Sequence, residues 1–132
     1  MTVLSEIRAY LLTQGFAAAS LFIGTMPDLP DACAALYEYG GAPPTKGFGV
    51  PGLKYEMPGV QIVTRGAAWD YTGPRDVIEI AFKKLPTIQA QTLSGTKYLM
   101  LRPQHSPYLL ERDVKNRVKF TCSFLAEKEL SA

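Results

Sequence analysis

The sequence has few of the residues that enzymes and metalloproteins usually depend on. It contains one histidine, His105, and only two cysteines, Cys33 and Cys122. Two cysteines this far apart in the chain are too few for a disulfide framework or a metal cluster. Because both lie in apolar stretches, and free cysteine is commonly buried, we expect two buried reduced thiols. Pairing between them across neighbouring strands stays open.

Charge of one sign is also scarce. The chain has 14 lysines and arginines against 12 aspartates and glutamates, a formal net charge of +2. The positive residues are interleaved with acidic ones, whereas a nucleic-acid-binding protein usually gathers a basic excess on one face. The sequence therefore argues against tight DNA binding, but it is compatible with DNA sliding past the protein.

Long hydrophobic runs are absent as well. The longest apolar run, residues 16–23, is far shorter than the ~20 residues that a membrane-spanning helix requires. Glu6 and Arg8 interrupt the region where the apolar core of a signal peptide would lie. We therefore expect no membrane contact and assembly in the cytoplasm. With 132 residues, of which 47% are hydrophobic, the chain has the size of one globular domain spanning residues 1–132.

Apolar periodicity predicts two helices. Val3, Leu4, Ile7 and Leu11 recur at helical spacing, and Thr2 is the expected N-cap. A second helix is predicted over residues 70–85, with Thr72 as its cap and Pro86 as its end.

Six strands are predicted, over residues 18–25, 32–39, 59–66, 87–93, 96–102 and 117–127. The Ser94-Gly95 pair between two of them is typical of a hairpin turn. In the last strand alternate apolar residues indicate a core face, namely Val118, Phe120, Cys122, Phe124 and Ala126. The order helix, three strands, helix, three strands predicts an α+β domain in which a mixed or antiparallel sheet packs with two α-helices.

The segment 42–58 contains prolines at positions 43, 44, 51 and 58 and glycines at 47, 49 and 52. This composition predicts a long loop without regular structure. Such a loop is either a solvated surface segment or a partner-binding, ring-threading one. Its apolar residues favour the second interpretation, because a solvated loop has no need of side chains such as Phe48, Leu53 and Tyr55.

No motif predicts catalysis, a cofactor or a metal site. His105 stands beside Ser106, but a nucleophilic triad also needs an orienting acid and an oxyanion hole. We interpret His105 as a polar loop residue. The glycine-rich residues 47–52 lack the Lys-Ser/Thr pair of a phosphate-binding loop, and no His pair or Cys-x-x-Cys spacing is present.

One charged cluster stands out at residues 111–117, with the sequence ERDVKNR. It is either a solvated turn before the last strand or a salt-bridge patch between subunits. Arginine forms bidentate bonds with carboxylates, and such pairs fix the register of an oligomer. Arg112, Asp113, Asn116 and Arg117 are therefore candidate interface residues, together with Arg65.

Several strings, taken in order, resemble a family of bacteriophage minor capsid proteins. They are MPDLPD at residues 26–31, YEYGG at 37–41, PGVQIVTR at 58–65, QHSPY at 104–108 and DVKNRVKF at 113–120. The resemblance covers almost the whole chain. It points to one set of residues: Pro58, Gly59, Gln61, Arg65, Gln104, Pro107, Asp113, Asn116 and Arg117.

That family is similar to the tail terminator proteins of long-tailed phages, and the resemblance implies a structural role in the virion neck. Such subunits form hexameric rings that sit on the last layer of the tail tube, stop its polymerisation and offer a docking face for the filled head. The implied partners are further copies of the chain, the tail tube protein and a head-completion or connector protein. DNA would pass through the lumen without specific binding, as the low net charge also suggests.

Two other functions remain as alternatives. One is a head-completion or connector adaptor, which also forms rings at the neck but is usually more helical. The other is a small-ligand-binding domain or hydrolase built around His105 and the segment 42–58. That function requires convergent polar groups in a concave pocket, and the sequence offers His105 without a clear partner.

Overall fold

A seven-stranded mixed sheet with two helices against one face forms the fold of the computed structural model, which describes residues 2–46 and 52–130. The α+β fold class predicted from the sequence is confirmed. In chain order the elements are α1 (Val3–Leu12), β1 (Leu21–Ile23), β2 (Cys33–Lys46), β3 (Leu53–Ala68), α2 (Thr72–Lys84), β4 (Gln89–Leu93), β5 (Thr96–Pro103), β6 (Tyr108–Arg112) and β7 (Arg117–Glu129).

The strands follow the order β1-β2-β3-β7-β5-β4, and β6 also pairs with β7. β1 runs parallel to β2, and every other pair is antiparallel. Since β3 pairs along one edge of β7, the other edge is shared. Along this other edge of β7, β6 pairs with residues 118–121 and β5 pairs with residues 124–128.

The core lies between the sheet and the helices. The predicted apolar face of β7 is buried throughout, from Val118 to Ala126, which confirms the register read from the sequence. Neighbouring strands continue this face, because Leu36 of β2 pairs with Ile62 of β3, and Ile62 pairs with Cys122. Side chains of both helices cover it, including Ile7, Leu11, Ile78 and Ala81.

Of the two predicted helix caps, one is confirmed and one is wrong. The Thr2 hydroxyl accepts a hydrogen bond from the Ser5 amide at 3.3 Å, which confirms the predicted cap of α1. The predicted Thr72 cap is wrong, because Thr72 is already helical. Asp70 takes this role instead and accepts the Gly73 amide at 3.0 Å. Gly73 permits this approach, since a Cβ there would lie 2.3 Å from the Asp70 carboxylate.

The prediction of an irregular loop over residues 42–58 is wrong for the described residues on either side of 47–51. β2 and β3 pair through this region, with Ala42 opposite Met57 and Thr45 opposite Tyr55. Register shifts between these pairs let the strands accommodate prolines, because bulged residues leave the ladder and edge positions need no amide donor. Pro43 and Pro44 lie on such an edge, since β1 covers β2 only at Ala34–Leu36.

Two further elements depart from the predictions. Ala18–Ser20 forms a 3-10 helix, so the first strand is shorter than expected. β6 was not predicted at all. Each of its residues is exposed, and it therefore lacks the alternation by which a half-buried strand is recognised.

Both cysteines are free and buried, as predicted. Cys33 pairs with Arg65, whereas Cys122 pairs with Ile62, so alternation along β3 places the two thiols on opposite faces of the sheet. Burial raises the pKa of the Cys122 thiol to about 11. In the described ranges, no helix has both the length and the apolar character needed to cross a membrane.

Candidate functional site: a loop cluster at one end of the sheet

Three connecting segments meet at one end of the sheet, where β2 begins, β3 ends and β7 begins. The pairs Cys33–Arg65 and Ala68–Arg117 mark this end. The segments are residues 26–31, 69–71 and 113–116. Together with the side chains of Arg65 and Arg117 we call them the loop cluster.

Arg65 fixes the first segment through its backbone. The side chain is only 4% exposed. Its Nε donates to the Asp31 carbonyl at 2.9 Å, and its Nη2 donates to the carbonyls of Pro27, Asp28 and Pro30 at 2.7, 3.2 and 2.9 Å. A buried guanidinium must find acceptors, and here backbone carbonyls supply them. The proline-rich segment 26–31 is therefore held in one conformation from inside the subunit.

Arg117 ties that segment to the turn 113–116. Its guanidinium is 5% exposed and lies among three carboxylates. Nε donates to Asp113 Oδ2 at 2.8 Å, Nη1 to Asp31 Oδ1 at 3.0 Å, and Nη2 to Asp28 Oδ1 at 3.0 Å. Charge-assisted bonds of this kind are stronger than neutral ones. Hydrogen bonds from Lys115 and Arg117 hold the pKa of the Asp28 carboxyl below its usual value.

Two residues with left-handed backbones connect the turn 113–116 to the segment 69–71. Trp69 has φ 66° and Asn116 has φ 62°. The Trp69 amide donates to the Asn116 carbonyl at 2.9 Å. A bulky residue in this region is strained, and such strain persists where the surroundings fix the chain, commonly at functional sites. The Arg112 guanidinium lies 5.2 Å from the Trp69 ring centroid, in cation–π range.

Each of the three segments presents an apolar side chain to solvent. Leu29 is 69% exposed, Trp69 is 68% exposed and Val114 is 98% exposed. Arg65 and Arg117 hydrogen-bond the segments 26–31 and 113–116, and the Trp69 amide bonds the Asn116 carbonyl. Segments already fixed in this way lose little entropy when a partner binds. Rigid aromatic and arginine side chains are typical of binding hot spots. The loop cluster thus presents three exposed apolar side chains on one surface.

Five of the eight residues predicted from the sequence as interface candidates lie in or beside the loop cluster. Arg65, Asp113, Asn116 and Arg117 all lie in the loop cluster, and Arg112 contacts it through Trp69. The guanidinium groups of Arg65 and Arg117, however, make their hydrogen bonds within the subunit. Leu29, Trp69 and Val114 were overlooked. Their only signal in the sequence is an apolar residue set among prolines, aspartates and charges.

The apolar residues of the segment 42–58 do not join this site. Leu53 and Tyr55 lie in β3 towards the opposite end of the sheet, where Tyr55 pairs with Glu129. Phe48 lies outside the described residues. Leu53 and Tyr55 are therefore separated from the charged residues of the loop cluster.

The other residues singled out by the family resemblance, at positions 58, 59, 61, 104 and 107, lie in or next to the strands. Gly59 lies under the Tyr39 ring, and a Cβ there would come within 2.3 Å of it. The Gln61 amide donates to Thr121 Oγ1 at 3.1 Å. Pro58 lies in β3 near them. Gln104 and Pro107 lie between β5 and β6, and the Gln104 amide donates to the Ser123 carbonyl.

His105 lies between β5 and β6. His105 Nδ1 contacts the Ser106 carbonyl at 2.9 Å, and its ring lies 4.9 Å from that of Tyr108. A cavity of about 280 Å³ beside Arg65 has mostly apolar walls, including Phe16, Val77 and Ile80. Within residues 2–46 and 52–130, no group of three or more His, Cys, Asp or Glu side chains is placed to hold a metal ion.

Comparison with known proteins places this geometry in context. A family model described as "Bacteriophage tail terminator protein" matches residues 10–130. The matched range includes every strand of the sheet and the whole loop cluster. No curated protein matches the chain.

Proposed function

We propose that this chain, which belongs to the bacteriophage tail terminator family, forms a ring that caps the tail tube, stops its polymerisation and provides the docking surface for the DNA-filled head. The family is structural rather than catalytic. Membership makes the chain a component of a phage virion at the head–tail joint, with tail and head components as its neighbours.

The observation that carries the capping proposal is the loop cluster in a member of this family. A terminator must bind the last layer of the tube tightly enough to block the next one. An apolar surface preorganised by Arg65 and Arg117 loses little entropy on binding and suits such a contact. We assign the loop cluster to the contact with the tail tube protein.

The head-facing surface then lies at the other end of the sheet, near Tyr55. A ring whose two ends bind different partners needs different chemistry at each end. The loop cluster is apolar and arginine-framed. Unlike the exposed Leu29, Trp69 and Val114 of the loop cluster, the opposite end carries a charge pair between the Lys128 ammonium and the Glu56 carboxylate, 3.2 Å apart.

The proposed ring is a hexamer of this chain. Closure by rotation requires a heterologous interface, in which two different surfaces of the same subunit meet. Arg112 is the last residue of β6, at an exposed edge of the sheet, and so lies next to such a contact. Arg65 and Arg117 support the interface indirectly, by fixing the segments beside it. A chain with a net charge of +2 also lets DNA pass the lumen without holding it.

Negative-stain microscopy of the purified protein, alone and mixed with assembled tail tubes, tests the proposal. The expected result is rings, and caps on one end of the tubes that stop further growth when tube protein is added. A second experiment mixes the protein with isolated tailless heads and looks for binding to their connectors. Binding to head connectors without binding to tubes would favour the head-completion adaptor instead.

A further inference from the structure

The sheet has several outer edges, and two of them carry protection against pairing with other strands. Exposed edges are usually short, bulged, charged or covered, because an open edge recruits foreign strands. β1 has only three residues, and Arg8 Nε donates a hydrogen bond to the Leu21 carbonyl at 2.9 Å. β4 contains Ala90 with φ 47°, a residue that has no partner in the β5 register.

β6 is short and has a register shift between Leu109 and Glu111, but its outer side remains apolar. Its first three residues, Tyr108, Leu109 and Leu110, are apolar and exposed. One edge pairs with β7, and in the part of the chain that the structure describes nothing pairs with the other. Its two charges are directed at its own subunit, since Glu111 bonds Lys119 at 3.1 Å and Arg112 lies over Trp69. β6 is therefore an apolar edge left open.

A second open edge of matching length lies across the sheet. β1 covers the outer side of β2 only at Ala34–Leu36, and the tandem prolines Pro43 and Pro44 block strand pairing further along. The outer side of β2 between them, residues 37–41, has no strand partner among the described residues. This segment and β6 have the same number of residues.

We propose that β6 of one copy pairs with residues 37–41 of β2 in the next copy, so that the sheet continues from subunit to subunit. The inference rests on the proposed ring and specifies the strands that close it. β6 and β2 lie on opposite sides of β7 and β3, so the contact joins unlike edges and repeats by rotation. Main-chain hydrogen bonds supply the affinity in such strand addition.

The positions of the two edges suit a closed ring. β6 lies level with Ala35 of β2, because Tyr108 pairs with Thr121, Thr121 with Val63, and Val63 with Ala35. The open segment of β2 begins further along, at Tyr37. Joining them displaces each copy along the strand direction relative to its neighbour. A stagger of this kind accompanies strand tilt in closed sheets.

Lysine substitutions on each edge test the pairing. A lysine on an edge strand disfavours addition of another strand. Leu110→Lys changes an exposed side chain that has no partner in the β7 register. Gly40→Lys adds a side chain where a Cβ meets nothing within 4 Å. Gln91→Lys on β4 is the matched control. Light scattering should show rings for the wild type and for Gln91→Lys, and folded monomers for the other two.

Cysteine pairs test the same contact without disrupting it. Mixing Leu110→Cys with Gly40→Cys under a mild oxidant should give covalent dimers, whereas Leu110→Cys mixed with Gln91→Cys should not. The native thiols do not compete, because both are buried. Rings that persist in both lysine variants, or that fail to cross-link, would overturn the strand pairing alone. A wild-type chain that forms no ring, alone or on tubes, would remove the proposed function as well.

Discussion

Arg117 Nη2 lies 3.0 Å from Asp28 Oδ1, and this contact joins two segments that are 89 residues apart in the chain. Through the same guanidinium the turn 113–116 and the segment 26–31 become one surface. The proposed contact with the tail tube would therefore depend on a side chain that is itself buried. The arrangement separates the residues that shape the surface, Arg65 and Arg117, from the exposed residues proposed to touch a partner, Leu29, Trp69 and Val114.

Removing the Arg117 guanidinium should destabilise the loop cluster. Arg117→Ala removes the donor to Asp113 Oδ2 and one of the two donors to the Asp28 carbonyl, which keeps Arg65 Nη2. We expect the free energy of unfolding to fall by about 1–3 kcal/mol, less than for a fully buried ion pair because Asp28 and Asp31 are exposed. Chemical denaturation measures this. Arg75→Ala, which breaks an exposed pair with Glu79, is the control and should cost no more than about 1 kcal/mol.

Charge reversal at the same position should abolish function. Arg117→Glu places a fourth carboxylate among Asp28, Asp31 and Asp113, so the two segments repel each other. The expected result is a folded chain that fails to cap tubes, with overlong tails and tailless heads in the infected cell. Normal virions from an Arg117→Glu phage would show that the joined segments are not needed for capping.

Acid should weaken the cluster in a defined direction. Hydrogen bonds from Lys115 and Arg117 lower the pKa of Asp28. Burial alone would raise the pKa of Asp113, but hydrogen bonds from Arg117 and Lys115 lower it overall. A carboxyl whose pKa is lower in the folded state stabilises the fold above its unfolded value, near 3.9. That stability is lost as the pH falls through the folded pKa values.

Melting temperatures measured from pH 7 down to pH 3 test this dependence. The wild type should hold its stability until about pH 4 and then decline. The double variant Asp28→Asn, Asp113→Asn should start from a lower melting temperature and decline less. Parallel declines in the two proteins would mean that other carboxyls control acid unfolding.

Much of the fold could be predicted from the sequence, because period-2 and helical patterns report burial directly. The face of β7 from Val118 to Ala126 is the clearest example. β6 was missed because none of its residues is buried, so it leaves no periodic trace. The strand pairing through 42–58 was missed because Pro43 and Pro44 exclude only a central ladder, whereas β2 is an open edge there.

The candidate site was predictable only in part. Charged residues at 111–117 and Arg65 stand out in the sequence, and the structure brings them together. The partners of Arg65 are backbone carbonyls of residues 27–31, which no side-chain pattern reveals. Arg117 binds the carboxylates of Asp28 and Asp31, which lie far away in the sequence. Trp69 was missed because its importance arises from φ 66° and the contact with Asn116, which depend on tertiary structure.

The buried pair Tyr98–Glu6 should contribute to stability. The Tyr98 hydroxyl donates to Glu6 Oε1 at 2.9 Å, and both side chains are almost fully buried. Tyr98→Phe leaves a buried carboxylate without this donor, which costs about 1–3 kcal/mol. Adding Glu6→Gln to Tyr98→Phe should restore part of the loss, as a double-mutant cycle by chemical denaturation would show. Equal losses in the single and double variants would mean that the carboxylate finds another donor.

His105 should be dispensable for phage production. Its Nδ1 contacts a neighbouring carbonyl, and its ring is tilted by 57° relative to the Tyr108 ring. We expect His105→Ala to leave phage yield and melting temperature close to wild type, within about 0.5 kcal/mol in stability. A collapse in yield with the fold intact would indicate a chemical role for the imidazole.

The loop cluster makes its sharpest prediction at Trp69, where stability and binding should separate. Glycine adopts a left-handed backbone without strain, so Trp69→Gly relieves the residue at φ 66° while it removes the exposed ring. The lost contact with Arg112 offsets this gain, since an exposed cation–π pair is worth about 0.5–1 kcal/mol. The melting temperature should therefore not fall. Tube binding should weaken at least about 30-fold, the loss expected at a hot spot of about 2 kcal/mol.

The matched control for this variant is Met100→Ala. Met100 is also exposed and apolar, but it lies in β5 opposite Glu127, away from the loop cluster. Its truncation should leave tube binding within about twofold of wild type, because scattered surface apolar residues contribute little to binding. Sedimentation of variant protein with tail tubes measures both affinities. If Trp69→Gly and Met100→Ala bind tubes equally well, the contact with the tube lies elsewhere on the subunit, and the rigid loops serve another partner.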